Sequence, residues 1–530
     1  MPCTQSNWKK RIIICLCASF MFMFICHGFL LFNPSYSHDS LSEIVRDKGH
    51  FQTSLGRFLQ PGWKMFFSEV TSTWFIGCLT AVFIGISAAM LGDLFQIRRN
   101  ESLVFMSGIL ITNHCMITAV ASYMPWIDTH GAALMLAVSG VWLLYKYRFG
   151  FLLAIIPLIA VLGLYPPYLV CVLAIVVIQM ILSLQQKGVW KKRLIYILKA
   201  AVMLVIAYVL YAVILNIILK YNNITYSDGN NSMANIKLLG FNNLKTLLTN
   251  AFSLFFSELT ITVCYMQFSS IIIGLIGFSY MVILVIFAVK TRFGVWESIA
   301  LVLLLLAIPF VFNIQYIVCE DATYHSLMVY SIYFAYILLI PLYDSISVIN
   351  QNEARLVKEE SFKNHRSLKK SRLSWKWIED KARCCVPFVL VIVLFADIRF
   401  ANNVYTDKYL RERTTLSVMT RIMTTAEQTE GFDPAKSRVL IVGDLRRNPI
   451  IAAPDPTFYP TLGNASRDIS ITYNIITYLR YYMGYSYWFI YDGEKKDQLL
   501  ANEVIQSMPA YPEKGYAAMV DGVLVIKISK

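Results

Sequence analysis

Long apolar runs recur along this chain as far as residue 398, and they restrict its fold more than any motif does. A bilayer's hydrocarbon core is about 30 Å thick and takes about 20 apolar residues to cross as a helix. Runs of that order lie at 12–32, 70–91, 103–124, 131–147, 151–164, 168–184, 194–219, 268–289, 299–318, 327–346 and 385–398. The expected fold is an α-helical polytopic membrane protein with about eleven transmembrane helices. Composition agrees: 57% of residues are apolar and 15% charged, against about 25% charged in soluble domains.

The first run follows Lys9, Lys10 and Arg11. It is longer than a signal-peptide core and no small-x-small site follows it, so it reads as an uncleaved first span. The fifth and sixth runs form one apolar stretch divided by Tyr165-Pro166-Pro167-Tyr168. Proline interrupts helical hydrogen bonding, so two short helices meeting at a turn are expected.

Charge decides the orientation. Net charge is +14, but the basic residues sit between apolar runs, so they orient spans and do not point to a nucleic-acid partner. With the N-terminus inside, Arg98 and Arg99, Lys146 and Arg148, Lys191 to Arg193, Lys290 and Arg292, and the basic stretch between Asn350 and Arg383 all fall inside. That is the positive-inside pattern. A single kinked helix over 151–184 would move Lys290, Arg292 and the basic stretch outside, which favours the hairpin. The stretch reads as a solvated topology anchor, with anionic lipid head groups as its alternative ligand.

A membrane domain over 1–398 thus carries outer loops at 33–69 and 220–267. Within the second, Phe241 to Met266 has the mixed pattern of an amphipathic helix lying on the membrane surface. The remainder, 399–530, reads as a small extracytoplasmic α/β domain. Leu410 to Thr429 has helical spacing, Arg438 to Gly443 is a strand entering a turn, and Val520 to Ile528 alternates as a final strand. Most cysteines lie in apolar runs and none follows Ile398, so the tail has no disulfide framework.

Several residues that can carry chemistry fall on the outer face. Asp39, in Ser37-His38-Asp39-Ser40, is a carboxylate just beyond the first span, placed to act as general base on a sugar hydroxyl. Arg57, in Leu55-Gly56-Arg57-Phe58-Leu59, can hold a lipid phosphate through forked hydrogen bonds. Asp128 is the one charge in the turn before the fourth span, either sharing a pocket with Asp39 or capping its own helix. Tyr165 and Tyr168 stack on a sugar or belong to the interfacial aromatic belt. His325 follows Glu320 and Asp321, too small a set of ligands to indicate a metal. Inside the third span, Asn113 and His114 read as interhelical hydrogen-bonding groups. Plain loop and anchor roles stand beside the chemical ones for Asp39 and Arg57.

These segments resemble the bacterial glucosyltransferases of the Gtr type, which modify O-antigen and belong to the GT-C superfamily. The resemblance rests on Tyr36-Ser37-His38-Asp39-Ser40-Leu41 after the first span, Gly56-Arg57-Phe58-Leu59, Ile127-Asp128, and Leu162-Gly163-Leu164-Tyr165 with Tyr168. In the tail it rests on Arg438 to Gly443 and on Met508-Pro509-Ala510-Tyr511-Pro512 through Asp521 to Lys527. His38-Asp39 stands where the family usually has an acidic pair. The resemblance implies a GT-C-like fold and an inverting transfer of a sugar, often glucose. The donor would be undecaprenyl-type polyprenyl phosphate-sugar at the outer leaflet of the bacterial cytoplasmic membrane. It implies Asp39 as base, Arg57 on the leaving phosphate, and His38, Asp128, Tyr165, Tyr168 and His325 as substrate contacts. It further implies a glycan or glycolipid acceptor, a companion flippase and donor synthase, and no cofactor or metal. Two other classes fit a polytopic chain: a lipid-linked glycan transporter or flippase, and a polysaccharide polymerase.

Overall fold

The structure is a computed structural model. It describes residues 5–41, 50–67, 71–186, 188–226, 244–318, 325–346, 372–445, 448, 472–491 and 493–529. Each expected apolar run is helical. Among the described residues, eight helices are long and apolar enough to cross a membrane, and nine if the pair Asn100–Thr112 and His114–Ser122, bent by 42°, counts as one span. Gly150–Leu164, Val295–Val311 and Tyr330–Ile346 are shorter apolar helices. Length and composition alone therefore do not establish eleven crossings.

Small residues let the first helices approach closely. A Cβ on Gly77 would meet Leu31 Cδ1 at 2.5 Å, and one on Gly85 would meet the Leu16 backbone at 3.1 Å. The first helix, Gln5–Phe32, therefore packs tightly along Thr73–Leu94. Both ends of this pair are tied by polar contacts: Arg11 donates to Asp93 at 3.1 Å, and Thr73 Oγ1 donates to the Leu31 carbonyl at 2.6 Å.

The hairpin forms as its prolines predict. Ile155–Leu164 ends at Tyr165, a 3-10 turn covers Pro166–Tyr168, and Leu169–Ser183 runs back. The direction is set by its neighbours. Tyr165 and Tyr168 both pack on His130 at the start of Ile127–Lys146, whereas the Ser183 carbonyl accepts from Arg193 at the start of Trp190–Tyr221.

Two elements differ from expectation. Leu244–Cys264 is long and apolar enough to count among the candidate spans, and its Ala251, Phe255, Glu258, Leu259 and Thr262 are buried against other helices. The polar residues that mimic a surface pattern bond across the bundle instead. The second difference is at the domain boundary. Arg372–Glu427 is one helix that passes residue 398 unbroken and carries the last span directly into the tail. The expected basic stretch lies outside the described residues up to Ser371, as does the polar turn at Ser227 to Asn231.

Among the described residues the tail holds a four-stranded sheet in the order β2-β1-β4-β3, with β1 Arg438–Val442, β2 Trp488–Phe489, β3 Ala517–Val520 and β4 Val523–Lys527. β1 is parallel to β2 and β4, and β3 is antiparallel to β4. The expected first and last strands are therefore neighbours. Gly443, at φ +97°, makes the turn after β1, where a Cβ would lie 2.6 Å from the Ser529 nitrogen. The sheet packs on the end of the long helix through Val418, Met419, Ile422, Val439 and Ile526. Tyr36 and Leu41 join that same core, so the segment after the first span is held by the tail.

Candidate functional site

Arg57 leaves a turn that only glycine makes easily. Gly56 sits at φ +87°, its carbonyl accepts from Tyr211 Oη at 2.9 Å, and a Cβ there would meet that oxygen at 2.4 Å. The turn is closed by Arg57 N–H donating to the Gln52 carbonyl at 2.9 Å, while the guanidinium donates to Gln52 Oε1 at 3.3 Å. So placed, the guanidinium stacks over the Tyr165 ring, 4.8 Å from its centroid. Such cation–π contacts are worth about 0.5–2 kcal/mol, more where water is excluded.

Tyr165 and Tyr168 stand on the hairpin turn, with rings 5.9 Å apart. His130 lies against both, 4.4 Å from Tyr165 and 5.6 Å from Tyr168 between centroids, with Nδ1 3.3 Å from Tyr168 Oη. Tyr330 extends the stack, 5.0 Å from Tyr168. Burial pushes the Tyr165 phenol up to about 12, with Arg57 pulling the other way, so at neutral pH it is a neutral hydrogen-bond donor. Gln60 ties the Arg57 side to this turn, its amide donating to the Leu164 carbonyl at 2.8 Å.

Asp128 is buried in the first turn of Ile127–Lys146, where its charge suits the helix dipole. The residue before that helix is Trp126, so Asp128 is not its cap. Its Oδ2 accepts from Trp63 Nε1 at 2.9 Å, and Lys64 Nζ lies 3.2 Å from the centroid of the Trp126 ring. Asp128 is therefore tied to the helix Leu59–Phe67.

His325 is near the Asp39 segment. Its ring is 5.7 Å from Tyr123, and its backbone N–H donates to Tyr316 Oη at 3.0 Å. Tyr123 directly follows Ser122, whose carbonyl accepts from Ser37 Oγ. Ser40 Oγ accepts from the Ser37 N–H at 2.8 Å, closing the short helix His38–Leu41. The backbone of Asp39 is thus held between the bundle and the tail. The side chains of His38 and Asp39 lie outside those described, as do Glu320 and Asp321.

Arg57, Tyr165 and Tyr168 are therefore brought together. Asp128 joins them through the Trp63 segment, and His325 lies toward the Asp39 segment. His130, Trp63, Tyr123 and Tyr316 belong to the same region but were not singled out from the sequence. His130 follows Asp128 by two residues, which is the signal that was available.

A second polar cluster lies deeper. His114 Nδ1 is 2.7 Å from Glu258 Oε1, both side chains being 2% exposed, and Tyr333 Oη donates to the same oxygen at 3.2 Å. Asp397 accepts from Thr262 at 2.7 Å and from Thr112 at 3.2 Å. His114 is thus interhelical, as expected. Asn113 also reaches another helix, through its side-chain bond with Tyr330, and it serves its own: the amide donates to the Ile109 and Leu110 carbonyls and the oxygen accepts from Met116 N–H, capping the helix that restarts after the bend.

The fold and this region define a polytopic membrane protein with an aromatic and cationic cluster at one end of its bundle. Residues 28–342 match the family described as Glucosyl transferase GtrII, and the chain belongs to that glucosyltransferase family. The matched stretch contains every candidate residue named above. No curated protein and no solved structure matches the chain.

Proposed function

We propose that this protein moves glucose from a polyprenyl-phosphate-linked donor to a cell-surface glycan or glycolipid, at the outer face of the bacterial cytoplasmic membrane. The observation that carries this reading is the stack of Arg57, Tyr165, His130 and Tyr168, assembled from three segments distant in sequence at one end of the bundle. A cation beside neutral aromatic faces suits a phosphate joined to a sugar ring. The fold proposed with it is GT-C-like with eleven crossings, the three shorter apolar helices included and Leu244–Cys264 only partly inserted. The basic segments between spans support that orientation, with the N-terminus cytoplasmic and the tail outside.

In the proposed reaction Asp39 takes the proton of an acceptor hydroxyl. The freed oxygen forms a bond to the anomeric carbon as the bond from that carbon to the phosphate oxygen breaks. Configuration inverts, and polyprenyl phosphate leaves with the bonding pair, its charge held by Arg57. His38, Asp128, Tyr168 and His325 line the sugar path. A donor synthase and a flippase would supply the lipid-linked sugar from the cytoplasmic side.

The broken span at Asn113 and the buried His114–Glu258 pair favour a second reading, a lipid-linked glycan transporter, since interrupted helices and intramembrane ionisable residues mark such proteins. One assay separates the two. Membranes carrying or lacking the chain receive radiolabelled polyprenyl-phosphate glucose. Chain-dependent label in glycan supports transfer; label that changes leaflet without leaving its lipid supports transport.

A further inference from the structure

The tail carries a cavity of about 550 Å³ that the reaction above does not use, within the range of about 300–1,000 Å³ usual for small-ligand sites. It is lined by Arg438, Arg480, Lys495, Tyr487, Trp488 and Tyr491 among others, and the described lining contains no carboxylate. Arg438 and Trp488 are register partners on β1 and β2, so their side chains stand together on one face of the sheet. Trp488 is 66% exposed, which core packing does not explain. The Arg480 guanidinium sits 5.7 Å from the Tyr491 ring centroid. Exposed aromatic faces between cations suit an acidic saccharide: rings stack on Trp488, and carboxylates or phosphates meet Arg480 and Lys495.

Position selects a polymer over a lipid. Cys385–Glu427 is a helix of 43 residues, about 65 Å long at 1.5 Å per residue, while a whole bilayer with head groups measures about 40–45 Å. Tyr487 Oη donates to Glu427 Oε1, so the cavity sits at the far end of that helix, whose length supports a place beyond the head groups. It is nonetheless linked to the Asp39 segment. Arg480 lies on the turn Tyr478–Tyr482, and the Tyr482 ring packs on Tyr36 at 6.2 Å.

We propose that this cavity is an acceptor site holding an acidic stretch of the surface polysaccharide, a reading that rests on the transfer reaction above. The test is binding without turnover. Full-length protein in neutral-lipid nanodiscs is titrated with fluorescently labelled, lipid-free surface polysaccharide released by mild acid from cells carrying the protein. Trp488→Ala and Arg480→Gln should each weaken binding about tenfold while the thermal midpoint stays unchanged. Hydrogen exchange across 478–491 should slow on adding polysaccharide to the wild type. Equal affinity in wild type and both variants, or no binding by the wild type, overturns the proposal. So does loss in the variants of attachment to phosphatidylglycerol vesicles with polysaccharide binding intact, which would make the cavity a lipid site. A null result here leaves the transfer reaction standing, and a null transfer assay does not alter this binding result.

Discussion

At Arg57 a single turn decides where a charge points. Gly56 is at φ +87° with Tyr211 Oη where a Cβ would lie, so Gly56→Ala combines backbone strain with a clash. The variant should lose roughly 1–3 kcal/mol, read as a lower thermal midpoint. Adding Tyr211→Phe should cost less than the separate losses combined, because the two groups are in contact. Arg57 itself tests the site. Arg57→Lys keeps the charge but loses the planar stack on Tyr165, and should lower kcat/KM for the donor about tenfold; Arg57→Ala should lower it about a hundredfold. Wild-type activity in both variants would remove Arg57 from the site. Arg57, Tyr165 and Tyr168 were legible in the sequence because a glycine turn and a proline turn mark them. His130 was not, because a lone histidine beside an apolar run gives no sign of which neighbours it meets.

Among the elements, the helices were legible and their depth was not. Apolar length is a local property, so each run could be read directly. Leu244–Cys264 shows the limit: a stripe with Glu258 and Thr262 looks the same whether it faces water or a buried partner. The partner, His114, lies 144 residues away. Removing one member of a buried, bonded pair costs about 3–5 kcal/mol, whereas removing both costs less than the sum. Glu258→Ala and His114→Ala should therefore each lower the thermal midpoint, and the double variant should lie close to either single one. Additive losses would show that the pair is not coupled. Asn113→Ala, which removes the cap after the bend, should cost about 1 kcal/mol.

Across the molecule, the tail and the membrane domain share the segment that carries Asp39. Leu41 is fully buried among Val418, Met419 and Ile475, and Tyr36 packs on Tyr482. A sequence divided at residue 398 hides this, because the contact joins residues more than 300 positions apart and the long helix crosses the boundary without a break. Leu41→Ala should cost about 2–5 kcal/mol. Hydrogen exchange should rise first at residues 34–41, with transfer lost before the tail sheet opens. Unchanged exchange there would mean that the tail does not hold the segment.

The central claim is that a carboxylate on this clamped segment activates the acceptor. Its most direct test is transfer of labelled glucose from polyprenyl phosphate in membranes with wild type or Asp39→Asn at equal protein level. A general base contributes about 10²–10⁴-fold, so Asp39→Asn should lose at least a hundredfold in rate with its thermal midpoint and donor binding intact. Transfer by Asp39→Asn at the wild-type rate would contradict the assignment.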